Sequence, residues 1–403
     1  MDPINCLHLH VHDLVFQHLF VKEILECSLV SKCWNKSIGR SSRAMKEVWL
    51  NVGDRFNEPK KEDLRAFRAS ERKYQNFKIS EIENGLQILL FPKRRWQRAQ
   101  IDIQSFTTYK DYVNLLRIFH ESVVELDLFD MDIEDGREMK EVVDFPFLNK
   151  LKIGFVSSIA LRPFLSHIKS LDKLVLENIS DMGSAIDNSN ELMLKFVHLQ
   201  PQLAHLSLTS EAFIKIFENA EMFNFQLTYL LIDYNGKRDT SESKTLLENF
   251  DIFIINQKQL QWITLCKWTC EVTVSQIISC SNINRVSFDY YEDSDKFDSS
   301  SLELKVNENI KQLDFDFEDL NLDWLKPIFK AAPKTEILYF FHVSQELLQY
   351  LLLNFKHLKT LEYCSIFDEF KEFYSCMKKY KSKEINLNVE IKEKKFLDLR
   401  RVL

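Results

Sequence analysis

The chain has 403 residues, a formal net charge of -7, 45% apolar residues and only 7 glycines. That much apolar material argues against disorder, and the acidic balance argues against general nucleic-acid binding. Phosphate loops, dinucleotide turns and nucleophile elbows lean on glycine. Their scarcity, with no G-x-G-x-x-G, P-loop, G-x-S-x-G or H-E-x-x-H in the chain, takes weight from the common enzyme classes.

The first predicted elements are two helices within residues 7–34, LHLHVHDLVFQHLFVKEILECSLVSKCW. Val11, Leu14, Val15 and Leu19 recur at three- and four-residue spacing. Ile24, Leu25, Leu29 and Val30 do the same, with Trp34 one turn beyond. A hairpin this small cannot bury enough surface to stand alone, so it must dock on the rest of the chain or on a partner. His8, His10, His12 and His18 do not predict a metal site, because residues two apart on a helix do not share a face. The basic run FPKRRWQR at 91–98 reads as a solvated turn before a strand.

From about residue 77 a Leu-x-x-Leu-x-Leu pattern recurs, with aliphatic and aromatic variants. Its central residues fall at 77, 101, 126, 151, 174, 206, 230, 263, 286, 313, 337, 361 and 385, mostly 23 to 27 apart. The clearest copies include Leu151-x-Ile153, Leu206-x-Leu208 and Leu313-x-Phe315. Weaker ones are Ile101-x-Ile103, Ile337-x-Tyr339 and Ile385-x-Leu387. A period in the twenties is the signature of a leucine-rich repeat, and the alternation inside each copy is that of a strand. Between copies, YVNLLRIFHES, ELMLKFVH, EAFIKIFENAE, SQELLQYLLLNF and FDEFKEFYSCMKKY read as helices. Two longer intervals carry predicted loops at 181–191 and 235–244. The asparagine such repeats place three residues past the last leucine is nearly absent: Met131, Val156 and Ile179 stand there, which predicts irregular turns. The expected fold is α/β: a helical segment over 1–50, a linker with a first irregular repeat over 51–95, and an irregular leucine-rich-repeat solenoid with a parallel inner sheet over 96–403.

Outward positions on that sheet turn acidic in the later repeats, with twelve carboxylates against three lysines between 289 and 323. This suggests either a solvated charged surface or a site for a basic segment of a protein partner, with Tyr229 and Trp262 as aromatic anchors and Asp289, Asp314 and Asp316 supplying charge. The eight cysteines form no C-x-x-C pair. They read as buried thiols, and Cys266, Cys270 and Cys280 lack the spacing of a zinc site. No stretch reaches the roughly 18 apolar residues of a membrane span. The N-terminus lacks a secretory layout, so the expected location is cytoplasmic, nuclear or both.

The N-terminal helices also resemble the F-box family. Leu7 falls on its leading leucine, Val15, Phe16 and Leu19 on its Ile-Phe-x-x-Leu core, Glu23-Ile24 on its Asp-Leu pair, and Ser28, Leu29, Val30 and Trp34 on its last helix. Trp49-Leu50 matches the Trp-Leu that often follows. His8 stands where the family has proline, and His12 where it has an aliphatic residue. The resemblance implies docking on a Skp-type adaptor and, through it, a cullin scaffold. The implied contacts are Leu7, Val11, Val15, Phe16, Leu19, Ile24, Leu29, Val30 and Trp34. In that reading the repeats hold a target protein for ubiquitin transfer. The chain itself would have no catalytic residue, metal or cofactor, and no nucleic-acid or membrane partner. The alternative is a repeat scaffold with no ubiquitin role.

Overall fold

A computed structural model describes residues 8–41, 43–46, 48–52, 72, 74–79, 95–102, 107–131, 133–134, 141–165, 168–179, 189–217, 223–233, 241–266, 271–289, 304–316, 322–365 and 390–393. They gather into two compact units, residues 1–202 and 203–403. Leu7, the helix expected at 367–380 and the copy expected at Ile385-x-Leu387 lie outside the described residues, as do 181–188 and 235–240.

The first unit opens with three short helices: α1 Leu9–Phe16, α2 Val21–Val30 and α3 Lys32–Arg40. Side chains close their ends. The Glu23 carboxylate accepts from the Phe20 backbone N–H at 2.7 Å, satisfying a donor that a helix start leaves orphaned. Ser31 Oγ accepts from Trp34 N–H and so separates α2 from α3. Past α3, Ser41 Oγ accepts from Ala44 N–H at 3.0 Å and donates to the Asp13 carboxylate, tying the end of α3 back to α1.

A parallel sheet follows, of strands β1 Trp49–Val52, β2 Asn76–Ile79, β3 Arg98–Asp102, β5 Glu125–Phe129, β7 Lys150–Gly154 and β8 Lys173–Glu177 in that order. A two-residue side pair joins β4 Thr107–Thr108 to β6 Ile133–Glu134. Helix α4 Tyr109–Phe119 bridges β4 and β5, started by Thr108, whose Oγ1 accepts from Asp111 N–H. Helix α5 Ser189–His198 closes the described part of the unit.

The second unit is again parallel: β9 His205–Thr209, β10 Tyr229–Asp233, β11 Trp262–Cys266, β12 Arg285–Asp289, β13 Gln312–Asp316, β14 Ile337–His342, β15 Thr360–Ser365 and β16 Glu390–Glu393. Its helices are α6 Ser210–Phe217, α7 Ser241–Asn256, α8 Glu271–Ser279, α9 Leu322–Ala331 and α10 Gln345–Asn354.

Within each unit, strand register aligns the apolar positions. Phe77, Ala99, Leu126, Leu151 and Leu174 form one buried row of the first unit. Leu206, Leu230, Ile263, Val286, Leu313, Leu338 and Leu361 form the equivalent row of the second. Each valine, leucine, isoleucine or phenylalanine of these rows contributes about 1.5–3 kcal/mol when taken from water. Ahead of each strand one carbonyl accepts two successive N–H groups of the next repeat, as Val124 O does from Asn149 and Lys150, and Gln261 O from Asn284 and Arg285. This repeated bond passes the register from one strand to the next.

The structure corrects several expectations. The second copy is Ala99-x-Ile101, not Ile101-x-Ile103, because the small Ala99 fills the row position opposite Leu126. The copy at 337–339 is displaced by one residue: Leu338 and Phe340 point inward while Ile337 is only half-buried. The strand reads ILYFFH, so almost every residue is apolar and the period of two is invisible in sequence. Ser241–Lys244, expected in a loop, begin α7. Trp49 and Leu50 lie in β1, where Leu50 pairs with Phe77.

The turns after β5, β7 and β8 are regular despite the missing asparagines. Asp130, Phe155 and Asn178 each follow a strand at an equivalent register and adopt φ of 49°, 55° and 45°. This left-handed residue swings the next one, Met131, Val156 or Ile179, into the core. Aspartate and asparagine tolerate that conformation, but for phenylalanine it costs about 1–2 kcal/mol.

Buried amides satisfy backbone groups elsewhere. Gln200, Gln257 and Asn307 are buried, each six residues ahead of its strand's central apolar residue (Leu206, Ile263 and Leu313). Gln200 accepts from Ile168 N–H and donates to Phe196 O. Gln257 accepts from Leu227 N–H at 2.8 Å. Asn307 donates to Ile278 O and Cys280 O and accepts from Asn309 N–H. Each reaches back to the preceding segment and satisfies backbone groups that water cannot reach.

Candidate docking surfaces

The N-terminal helices divide their apolar residues between a small core and open surface. Phe16, Ile24, Ile38, Ala44, Met45 and Val48 form the core, flanked by Leu19, Val21, Cys27, Cys33, Trp34 and Tyr74. The Trp34 ring meets Phe16 edge-on at 6.4 Å. Residues from beyond the helices fasten this core. Asn76 donates to Lys46 O at 2.6 Å, and Arg72 donates to Asn35 at 2.6 Å. A Cβ at Gly39 would come within 2.9 Å of the Arg72 side chain, so the close approach requires glycine.

The remaining apolar residues face out. Val11, Leu14 and Val15 of α1, Phe20 between the helices, and Leu25, Leu29 and Val30 of α2 are all exposed, Phe20 at 71% and Leu29 at 85%. Of the implied adaptor contacts, Val11, Val15, Leu29 and Val30 therefore stand at the surface. Phe16 and Ile24 are 2% and 3% exposed and hold the helices together; Leu19 and Trp34 are half-buried beside them. Leu14, Phe20 and Leu25 are exposed but absent from the implied set. Helical spacing already singled out Leu14 beside Val11 and Val15, and Leu25 one turn before Leu29, though the family motif does not; Phe20 lies outside either helix and carries no such signal. His8 is exposed just ahead of α1, whereas His12 is buried and faces Phe16 across 6.2 Å between ring centres.

The strands of the two units differ on the face opposite their cores. In the first unit that face is laced with ion pairs: Lys78 with Asp102, Arg98 and Lys150 with Glu125, and Lys152 with Glu177. Asp127 sits among them, and burial pushes its pKa up to about 6 against the pull of Lys152. Lys152 also lies 5.1 Å from the centre of the Phe129 ring.

In the second unit a single network occupies the middle strands. Tyr229 and Trp262 touch with ring centres 4.5 Å apart, and the Arg285 guanidinium lies 3.8 Å over the Trp262 ring. Arg285 Nε donates to Asp314 at 2.7 Å, Ser287 Oγ donates to the same carboxylate oxygen at 2.6 Å, and Gln312 donates to the other at 2.8 Å. Trp262 Nε1 donates to Ser287, and Tyr229 OH lies 3.5 Å from Thr264 Oγ1. Asp314 is 5% exposed, and burial pushes the Tyr229 phenol up to about 12. The structure thus brings Tyr229, Trp262 and Asp314 together as an internal framework. Asp289 and Asp316 lie beside it at the strand ends, opposite one another in register and only half-buried. Charge counting found the acidic residues; the pairing of Arg285 with Asp314 across adjacent strands leaves no local signal.

Among the described residues, no group of three or more His, Cys, Asp and Glu side chains could hold a metal ion. Cys266 and Cys280 lie on separate segments, and Cys270 lies outside the described residues. No helix among the described residues is long and apolar enough to cross a membrane. No curated protein matches the chain. A family model does match its N-terminal part, over residues 4–45, the stretch that carries α1 to α3 and the exposed apolar surface, and the family is the F-box domain.

Proposed function

We propose that this chain is the target-recruiting subunit of a Skp–cullin–F-box ubiquitin ligase. F-box domains generally bind Skp-type adaptors within cullin complexes. The observation that carries the reading is where exposed apolar residues gather. Seven large ones fall between residues 11 and 30, on helices whose own core is already filled. A concentration of this kind marks a surface built to be covered by protein. Val11, Leu14, Val15, Phe20, Leu25, Leu29 and Val30 would bury against the adaptor, with Phe16, Ile24 and Trp34 holding them in place.

In this reading the parallel strand units form a leucine-rich-repeat solenoid, and its open sheet face holds a target protein. Tyr229, Trp262, Asp289, Asp314 and Asp316 belong to that face. The chain performs no chemistry and needs no cofactor. It raises the effective concentration of a target lysine near the charged conjugating enzyme, in the cytoplasm or the nucleus.

The test is capture of a purified Skp-type adaptor by the full chain and by a Val15→Asp, Leu29→Asp variant. Both residues are exposed, so the variant should keep its thermal unfolding midpoint while losing the adaptor, because each substitution buries a charge at the interface. If the natural chain captures no adaptor, the ligase reading fails and a repeat scaffold without a ubiquitin role takes its place.

A further inference from the structure

Helices α1, α2 and α3 have 8, 10 and 9 residues, below the about 12–15 at which an isolated helix becomes marginally stable. Their shared core does little to offset that. Of its six fully buried residues, each helix supplies one: Phe16, Ile24 and Ile38. The other three, Ala44, Met45 and Val48, come from the segment that follows α3. The arrangement that turns Val11, Val15, Leu29 and Val30 outward therefore depends on how that segment is held.

Three residues from the start of the repeats hold it. Asn76 opens β2 and is buried. Its side-chain amide donates to Lys46 O at 2.6 Å and to Val48 O at 3.4 Å, on either side of the point where the segment enters β1. Arg72 grips α3: it donates to Asn35 at 2.6 Å, and its stem crosses Gly39. Asn35 and Gly39 are four residues apart and so lie on one face of that helix. Tyr74 packs on the core itself, with its OH 3.5 Å from Arg72 Nη1. The strap is itself anchored, because β2 pairs with β1 on one side and β3 on the other.

We infer that Arg72, Tyr74 and Asn76 are positioning residues for adaptor docking, which hold α1 to α3 in the arrangement the adaptor binds without touching the adaptor themselves. This rests on the adaptor-docking reading above. The docking unit then runs to residue 76, past the stretch at 4–45 that matches the family. A surface formed only part of the time binds with an affinity lowered by that fraction. Loss of the strap therefore slows association, because fewer encounters meet a formed surface. It leaves dissociation unchanged, because the formed complex keeps all its contacts.

The experiment measures association and dissociation rates of a purified Skp-type adaptor with the full chain and with Asn76→Ala, Arg72→Ala and Arg72→Lys variants. Hydrogen exchange of the same chains is followed without adaptor. In Asn76→Ala and Arg72→Ala, association should slow by about threefold to tenfold, dissociation should stay within about twofold, and amides of α1 to α3 should exchange faster while those of β5 to β8 do not. Arg72→Lys keeps the stem over Gly39 and a donor for Asn35, so it should restore the natural association rate. Leu29→Ala, in the exposed surface, should instead speed dissociation. Unchanged association in both alanine variants overturns the inference, and so does a slowed rate that comes with faster dissociation. If Asn76→Ala opens the strands as well, Arg72→Ala decides, because its bond to Asn35 is exposed and its loss spares the sheet. If the natural chain captures no adaptor, the ligase reading falls, while exchange in α1 to α3 still judges the strap: no change there overturns it.

Discussion

In β7, Leu151 and Ile153 point into the core while Lys150 and Lys152 stand outside; in α2, Leu29 and Val30 stand outside while Ile24 is buried. Both segments hold similar apolar residues, and the difference lies in what their neighbours can cover. A strand of the repeat has an equivalent strand beside it, so each inward row is sealed by the next copy. Three short helices have no such neighbour on their outer side. Their core takes one stripe of each helix and leaves the rest exposed. The comparison separates residues that hold the module from residues that make it useful, which a family motif merges into one string.

The largest effect should come from breaking the module's core. Phe16→Ala removes the ring that packs on Trp34 and should cost about 3–5 kcal/mol locally. Protease sensitivity of residues 8–46 should rise, and adaptor capture should fall with it. Leu29→Asp should remove capture with no such sensitivity, and equal sensitivity in both variants would break the comparison.

The repeats should respond next most strongly at their buried amides. Asn307→Ala strands the carbonyls of Ile278 and Cys280 away from water and should cost about 1–3 kcal/mol. Asn309→Ala, which loses one exposed bond to Ser281 O, should cost under about 1 kcal/mol by the same reasoning. Denaturant titration of the two variants compares them directly.

A smaller effect concerns Asp251 on α7, whose carboxylate is raised from 3.8 to about 6 by burial and by Glu248. A raised acid costs stability when ionised, above about pH 6, and that cost fades as pH falls and the group takes up its proton. Asp251 is half exposed. Asp251→Asn should therefore stabilise by at most about 1 kcal/mol at pH 7.5 once solvent screening is allowed for. The gain should shrink as pH falls below about 6 and be gone only below the ordinary value of 3.8. An undiminished gain at low pH would show that ionisation is not its source.

The smallest effect should be at Phe155, exposed and held at φ 55°. Phe155→Asn places there the residue type that Asn178 already supplies at the equivalent turn, and should raise stability by about 0.5 kcal/mol. Asn178→Val should lower it by a similar amount or more. A fall in the unfolding midpoint for Phe155→Asn would mean that the ring makes contacts worth more than the strain.

Much of the architecture was legible because it is local and repeated. The copies at Leu126, Leu151, Leu174, Leu206, Leu230, Ile263, Val286, Leu313 and Leu361 all place their central residue in the buried rows. Sequence reading failed where the pattern lost contrast: at Ala99, too small to register as apolar, and at ILYFFH, apolar throughout. It misjudged the turns because it looked for asparagine after the strand, whereas the chain uses a left-handed residue there and buried amides ahead of the next strand. For the docking surfaces it identified residue types and segments, but it could not separate Val15 from Phe16, or Asp314 from Asp316.

What the sequence by itself determined is the alternation of strand and connection, the parallel pairing it implies, and the segment that resembles an F-box. Each follows from spacing within a few residues, where backbone geometry dictates which side chains share a face. The tertiary structure decided which apolar helix residues are exposed and which acids are tied into a framework. Asp314 is consumed by Arg285 from the neighbouring strand, 29 residues away in sequence, and Asn76 anchors the helices through Lys46, 30 residues away. Contacts between such distant residues are set by the stacking of one repeat on the next, and no local pattern encodes them.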